Sequence, residues 1–241
     1  MYNFSFIESV YEFNTCITFA NGQKSSFRKL EHIQAEEGKD GYAFTMKGSS
    51  NETLDDKEPE DWDAIVLEFG KALYPIGLRV SGQGEFVGLR DFEGIKEHWK
   101  ARRQEIIDYY NSYLIEKESN RYALALKTED KFYHILKENM FYRLFLWQES
   151  LQNQKVEIRD FPTRARLAIF SFHEKKYDKT GGIIYDTYDV TDEGSGQLLS
   201  GHAKLHLRRD KDGLPGEISL WARVEEKDAG FFTKEITIKR I

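Results

Sequence analysis

The chain has 241 residues and a formal net charge of −6; 40% of its residues are hydrophobic and 32% are charged. This size and composition suit a large buried core and exclude a disordered chain. The negative charge also argues against binding to phosphate backbones, so we expect no nucleic-acid partner. No apolar run approaches the roughly 18 residues of a membrane-spanning helix, and the N-terminus does not resemble a signal peptide.

Cys16 is the only cysteine, so the chain cannot form an internal disulfide. This favours a reducing compartment, and we expect a cytoplasmic location. Cys16 falls among the polar residues of an alternating segment and has no adjacent basic group to activate it. We therefore do not expect it to act as a nucleophile.

The first fifty residues predict two hairpins. Apolar and polar residues alternate from Tyr11 to Phe19, which is the period of a strand with one buried face. Asn21-Gly22 then supplies the positive φ angles that a tight hairpin turn requires. A second hairpin turn is predicted at Gly38–Gly41, leading into a further strand.

An acidic run extends from Asn51 to Asp63 and contains seven acids and one lysine. A solvated loop is its ordinary explanation, and a docking site for a basic protein partner is the functional one. The residues predicted to bind that partner are Asp55, Asp56, Glu58, Glu60 and Asp61. Apolar residues then recur at helical spacing from Trp62 to Leu73, which predicts a helix over about residues 60–73.

Three glycines, Gly82, Gly84 and Gly88, follow the alternating segment Ile76–Val80. A dinucleotide-binding loop needs the pattern GxGxxG between a strand and a helix. Here the third glycine is one position late, and β-type residues follow the glycines. The pattern therefore predicts a hairpin with its turn at Ser81–Gly84 instead of a phosphate-binding loop.

Two longer helices are predicted next. The first presents an amphipathic face made of Phe92, Ile95, Trp99, Ile106, Tyr109, Tyr110, Tyr113 and Leu114. The second begins at Thr128, whose hydroxyl can cap the first N–H groups, and carries a stripe from Phe132 to Trp147. We interpret these aromatic residues chiefly as core. As the alternative, a ligand pocket would be lined by Tyr74, Trp99, Tyr110 and Trp147.

The last part of the chain, from about residue 155, returns to short strands joined by turns rich in Gly and Asp. The gaps are too short for parallel crossovers, so they predict an antiparallel meander of five strands. The fold class is α+β, with antiparallel curved sheets from N-terminal hairpins and the meander, packed on two or three central helices. Residues 1–150 hold the hairpins and helices and 151–241 the meander, as one unit or as two lobes.

No residue pattern predicts a catalytic or metal centre. His202 and His206 fall on one face of a strand and lie roughly 13 Å apart, too far to share one metal ion. His134 and His173 are interpreted as structural histidines. Motifs such as GxSxG, HExxH and CxxC are absent, and Asp210–Gly213 lacks the acids of a complete calcium loop. We expect no catalytic residues, no metal and no cofactor.

Three functional hypotheses follow. The first is a non-enzymatic adaptor, chaperone or immunity-type protein that binds a protein partner, since the chain combines an acidic run with many aromatic residues. The second is a small-molecule or lipid-binding module with an apolar cavity between curved sheet and helices. The third is an enzyme that uses scattered carboxylates. Exposed strands at the ends of the meander could also pair two copies into a homodimer.

Overall fold

The computed structural model describes residues 2–146, 154–163, 166–192 and 198–241. It is an α+β protein with antiparallel sheets, which confirms the predicted fold class. The helices are α1 (Asp61–Lys71), α2 (Phe92–Tyr110), α3 (Tyr113–Ala125), α4 (Glu129–Glu138) and α5 (Met140–Phe145). The strands are β1 (Phe6–Thr18), β2 (Lys24–Gly38), β3 (Gly41–Leu54), β4 (Ile76–Ser81), β5 (Phe86–Arg90), β6 (Gln154–Arg159), β7 (Leu167–Phe172), β8 (Lys175–Tyr177), β9 (Ile183–Thr187), β10 (Val190–Asp192), β11 (Leu198–Arg209), β12 (Pro215–Glu226) and β13 (Gly230–Arg240).

Ten strands form one sheet in the order β5-β4-β3-β2-β1-β13-β12-β11-β9-β8, and three form a second sheet in the order β10-β7-β6. The C-terminal strands pair antiparallel with their neighbours, as in β9–β11, β11–β12 and β12–β13. The structure divides these strands between the two sheets, because β7 and β10 pair with each other and β7 also pairs with β6.

The chain forms two compact units. The first unit comprises residues 2–11, 30–52 and 58–146, and holds all five helices. The second unit comprises residues 12–29, 53–57 and the described residues from 154 onward. Residues 12–29 and 53–57 thus group with the C-terminal strands, although they come from the N-terminal hairpins.

Aromatic side chains form the core of the first unit. Phe145 of α5 contacts Tyr11 and Phe44, with ring centroids 5.0 and 5.9 Å apart, and all three side chains are fully buried. Phe69 of α1 packs on Tyr122 of α3 at 5.7 Å. Full burial of one such side chain contributes about 1.5–3 kcal/mol, so these contacts hold α5 against β1 and β3, and α1 against α3.

Alternating side chains form the core of the second unit. Along β12, Ile218, Leu220, Ala222 and Val224 are fully buried or nearly so, and Ser219, Trp221 and Arg223 alternate with them on the other face. Leu220 pairs with Leu205 on β11 and with Ile236 on β13, so three buried apolar side chains meet in one row. This period of two, readable in the sequence, sets the buried face of the sheet.

The glycine-rich stretch is a hairpin, as predicted. The Ser81 amide donates to Glu85 O at 2.8 Å and the Gly84 amide to Ser81 O at 2.9 Å, with Gly84 at φ +92°. Helix α2 begins only after β5, so the glycines do not lie at a helix N-terminus. This geometry excludes a phosphate-binding loop at these glycines.

The two long predicted helices are each interrupted. The first ends at Tyr110 because Asn111 adopts a left-handed conformation (φ 42°, ψ 53°), and α3 begins at Tyr113. Asparagine tolerates this conformation better than other non-glycine residues. Thr128 caps α4 as predicted, accepting a hydrogen bond from the Lys131 amide, but this helix ends at Glu138 and α5 is separate.

Candidate functional site

The first half of the predicted acidic site belongs to the second unit. Leu54 and Lys57 close a tight turn through two backbone hydrogen bonds, which places Asp55 and Asp56 at its exposed tip with φ of 51° and 62°. The Asp55 carboxylate also accepts a hydrogen bond of 2.6 Å from the Ser26 amide. Asp55 therefore stabilises the turn, whereas Asp56 is exposed and has no hydrogen bond or ion pair within the described residues.

The second half of the acidic run belongs to the first unit. Glu58, Glu60 and Asp61 are all exposed, and they lead into the N-terminus of α1. Asp61 and Asp63 lie in the first turn of α1, where their negative charges interact favourably with the positive end of the helix dipole. Trp62, between these two acids, exposes 41% of its surface. An exposed indole thus lies among exposed carboxylates at the start of α1.

An exposed aromatic surface lies at the junction of α2 and α3, and we call Tyr109, Tyr110, Tyr113 and Leu114 the tyrosine corner. Their exposed fractions are 81%, 38%, 77% and 59%. The rings of Tyr109 and Tyr110 contact each other at 4.8 Å. The sequence predicted these residues as part of a buried helix face, and that prediction is wrong because the chain turns at Asn111. The turn leaves the apolar side chains without a covering element.

The tyrosine corner is held firmly on both sides. Ile106 on α2 and Ile115 on α3 are buried, so each helix is anchored next to the corner. Arg103 donates to the Ser119 hydroxyl and to Asn120 Oδ1, both at 3.1 Å, which ties α2 to α3. A preorganised apolar surface loses less entropy on binding than a flexible one.

Charged residues around the corner are largely engaged with each other. Glu105 pairs with Arg102, and Glu118 pairs with Arg121 at 2.9 Å. Asp108 accepts a hydrogen bond of 2.7 Å from Gln104. An apolar centre with a polar rim is the usual anatomy of a protein–protein interface.

The residues predicted for a ligand pocket have different surroundings. Tyr74 is largely buried, and its hydroxyl donates to Glu31 Oε2 at 3.0 Å. Trp99 is 4% exposed, and the Arg103 guanidinium lies over its ring at 5.6 Å. Tyr110 belongs to the exposed corner, and Trp147 lies outside the described residues.

Burial raises the pKa of the Tyr74 hydroxyl well above its ordinary value, and the neighbouring Tyr142 and Glu31 groups add to the rise. The pKa of Tyr142 is raised by burial and by Glu31, and a hydrogen bond with Tyr74 lowers it in part. Both phenols therefore stay protonated well beyond neutral pH. No local sequence pattern signals this cluster, because Glu31, Tyr74 and Tyr142 are far apart along the chain.

Three histidines of the second unit each contact a different aspartate. His202 lies 2.6 Å from Asp186, His206 lies 2.8 Å from Asp178, and His173 lies 2.8 Å from Asp189. The ring of Tyr188 also stacks on His202 at 4.1 Å. In the described part of the chain, no group of three or more His, Cys, Asp or Glu side chains is arranged to hold a metal ion.

Hydrogen bonds lower the pKa of Asp178 well below its ordinary range, first from the Thr180 hydroxyl and then from His206. The Thr180 and Gly182 amides donate to the same carboxylate at 2.7 and 2.8 Å. This arrangement closes the loop between β8 and β9. We therefore interpret the Asp178–His206 pair as structural, because it holds this loop in place.

Comparison with models of protein families found no match, and comparison with curated protein sequences also found none. Among the described helices, none is both long enough and apolar enough to cross a membrane.

Proposed function

We propose that this chain is a non-enzymatic protein that binds one protein partner, with the tyrosine corner as the anchoring surface. The observation that carries the proposal is the exposure of Tyr109 (81%) and Tyr113 (77%) on a junction that is anchored by buried neighbours. Tyrosine is enriched among the residues that dominate interface energies. Leu114 enlarges the apolar centre beside them.

Charge complementarity indicates the chemistry of the partner. The chain carries a net charge of −6, and the acidic run exposes Asp56, Glu58, Glu60 and Asp61. A partner with an apolar pocket and a basic rim would be steered toward this chain and then anchored by the tyrosines. The proposal includes a cytoplasmic location, because a chain with a single cysteine needs no oxidising compartment.

We favour a different protein over a second copy as the partner. At one edge of the ten-stranded sheet, β8 has only three residues, and two of them are Lys175 and Lys176. At the other edge, the Tyr133 hydroxyl from α4 donates to Phe86 O of β5 at 3.0 Å. Short, charged or covered edges oppose strand pairing between copies.

The test compares three forms of the chain as baits in cell lysate. They are the wild type, Tyr109→Ala/Tyr113→Ala, and the control Tyr177→Ala/Tyr188→Ala, which removes two tyrosines that are 65% and 74% exposed in the second unit. Captured proteins are quantified by mass spectrometry and the best candidate is purified for affinity measurement. Circular dichroism verifies that all three forms fold.

We expect one protein to bind the wild type and the control equally, and to bind the corner variant at least about thirtyfold more weakly, as for truncation of interface hot spots. A partner that binds all three forms equally would contradict the role of the corner. Absence of any stoichiometric protein partner would contradict the proposal itself.

A second variant tests electrostatic steering. Asp56→Asn, Glu58→Gln, Glu60→Gln and Asp61→Asn together remove four exposed charges and spare Asp55, which holds the turn. We expect a slower association rate at low salt and a weaker dependence of that rate on salt, with the dissociation rate nearly unchanged. Identical association rates for both forms at low salt would show that the run does not steer the partner.

A further inference from the structure

The first unit contains an open cleft of about 320 Å³ that is separate from the tyrosine corner. Three strands and the start of α2 contribute to its wall, together with the segment before β4. The lining residues are Thr45, Pro75, Gly77, Arg90, Asp91, Gly94, Ile95 and His98. This volume lies at the lower end of the range for small-molecule sites, roughly 300–1,000 Å³.

Two glycines keep the charged lining residues in place. A Cβ atom on Gly94 would lie 2.2 Å from Asp91 Oδ2, and one on Gly77 would lie 2.9 Å from Arg90 O. The absence of side chains at these positions therefore permits the carboxylate and the arginine backbone to approach closely. Ile95, which is 3% exposed, supplies an apolar contribution to the lining.

Arg90 offers unused hydrogen-bond donors to this cleft. One of its terminal nitrogens, Nη1, pairs with Glu36. Within the described part of the chain, this is the single hydrogen bond or ion pair of the Arg90 side chain, so Nε and Nη2 remain available. A guanidinium is always charged and binds carboxylates with paired, planar geometry.

A carboxylate of the chain itself lies next to Arg90. Asp91 Oδ1 accepts a hydrogen bond of 3.1 Å from the Gly94 amide and so caps α2. The chain's own carboxylate thus occupies the Gly94 amide at the N-terminus of α2, and a ligand anion would pair with Arg90 instead. The second oxygen, Oδ2, has no hydrogen-bond partner within the described part of the chain, and Asp91 lines the cleft. Arg90 and Asp91 both line the cleft, so its lining contains a cationic and an anionic side chain that are adjacent in the sequence.

We propose that this cleft binds a small carboxylic acid that carries a neighbouring ammonium or hydroxyl group. The ligand carboxylate pairs with Nε and Nη2 of Arg90, and the neighbouring donor pairs with Asp91. A ligand with several negative charges is disfavoured because Asp91 and Glu36 would repel it. His98 and Thr45 supply further polar groups at the rim. This site is independent of the proposed protein partner.

Nuclear magnetic resonance titration of the ¹⁵N-labelled full chain tests the proposal. The probes are free amino acids and glycolate, which carry both groups, and acetate, which carries only the carboxylate. The reporters are the amide signals of Gly77 and Gly94, which line the cleft. We expect saturable shifts of these signals with at least one amino acid or with glycolate, and binding at least tenfold weaker with acetate.

Three variants make the test specific. Arg90→Gln should weaken binding at least tenfold, because it removes the charged partner of the carboxylate. Asp91→Asn keeps the helix cap, since asparagine caps equally well, and should abolish the preference for the probes over acetate. The control Arg102→Gln removes another exposed, ion-paired arginine that lies outside the lining, and should bind like the wild type. The proposal is overturned if no probe shifts the Gly77 and Gly94 signals, or if Arg90→Gln binds as well as Arg102→Gln.

Discussion

The hydroxyl of Tyr74 lies 3.0 Å from Oε2 of Glu31, a residue with no solvent exposure, although 43 positions separate them in the sequence. Tyr142 of α5 belongs to the same buried cluster. The cluster joins β2, the segment before β4 and a helix, so it links three parts of the first unit. A buried carboxyl group depends on such donors, because its transfer from water is costly without them.

Replacement of Tyr74 by phenylalanine removes this donor while keeping the ring. We expect Tyr74→Phe to lower the free energy of unfolding by about 1–3 kcal/mol, because it deprives a buried carboxyl group of a hydrogen bond. Urea denaturation at pH 7 measures the change. Tyr113→Phe, at a 77% exposed position, is the matched control and should leave stability within about 0.5 kcal/mol of the wild type. Equal stabilities of the two variants would contradict the prediction.

The raised pKa values of Tyr74 and Tyr142 predict instability at alkaline pH. Above the ordinary tyrosine pKa of 10.0, the unfolded chain releases protons that the folded chain retains. The contribution of these two protonated tyrosines to stability is complete below pH 10. It is lost as the pH rises toward their pKa values in the folded state. The free energy of unfolding should therefore fall by up to about 1.4 kcal/mol per pH unit for each such tyrosine. Tyr142→Phe should make this decline shallower between pH 10 and about 11.5.

The lowered pKa of Asp178 predicts that the free energy of unfolding falls at acidic pH. Its pKa lies below the ordinary value of 3.8, mainly because the Thr180 hydroxyl donates to it at 2.7 Å and His206 lies at 2.8 Å. The contribution of ionised Asp178 to stability is present above pH 3.8. It is lost as the pH falls through the pKa of Asp178 in the folded state. Thr180→Val should raise the pKa of Asp178 toward 3.8, as measured by carboxyl chemical shifts during an acid titration. Thr191→Val, an exposed position on β10, should not move it.

The two aspartates at the tip of the acidic turn should differ in their effect on stability. Both have positive φ angles and are exposed, so replacement by alanine imposes a similar backbone strain on each. Only Asp55 accepts the 2.6 Å hydrogen bond from the Ser26 amide. We expect Asp55→Ala to be less stable than Asp56→Ala by about 1 kcal/mol in thermal or urea denaturation. If the two variants unfold together, the hydrogen bond makes no net contribution.

Patterns within short segments of the sequence predicted much of this fold. They could not predict contacts between residues that are distant in the sequence. The alternation that placed His202 and His206 on one face of a strand is observed in β11, and Thr128 predicted the start of α4 because a cap is a local feature. The pairing of His206 with Asp178 or of Tyr74 with Glu31 leaves no periodic signal, since it depends on how strands and helices come together. The cleft beside Arg90 was missed for the same reason.

The tyrosine corner was missed for a different reason. Its residues keep helical spacing across the break, so periodicity alone continues the helix through Asn111. The usable signal was the Asn-Ser pair, since asparagine can end a helix in a left-handed conformation and serine can precede the next one. Apolar periodicity indicates a buried face only while the helix that carries it continues.

The left-handed turn at Asn111 should determine both stability and the presentation of the tyrosines. The left-handed conformation of Asn111, with its amide donating to Ile107 O at 2.8 Å, ends α2 and directs the corner outward. Asn111→Gly should keep or slightly raise stability because glycine adopts this conformation without strain, whereas Asn111→Ala should cost about 1–2 kcal/mol. Urea denaturation of the two variants measures this difference. Glycine should also preserve partner binding, while alanine, which favours a continued helix, should weaken it. Equal stability and equal binding of both variants would show that the left-handed turn does not determine how the tyrosines are presented.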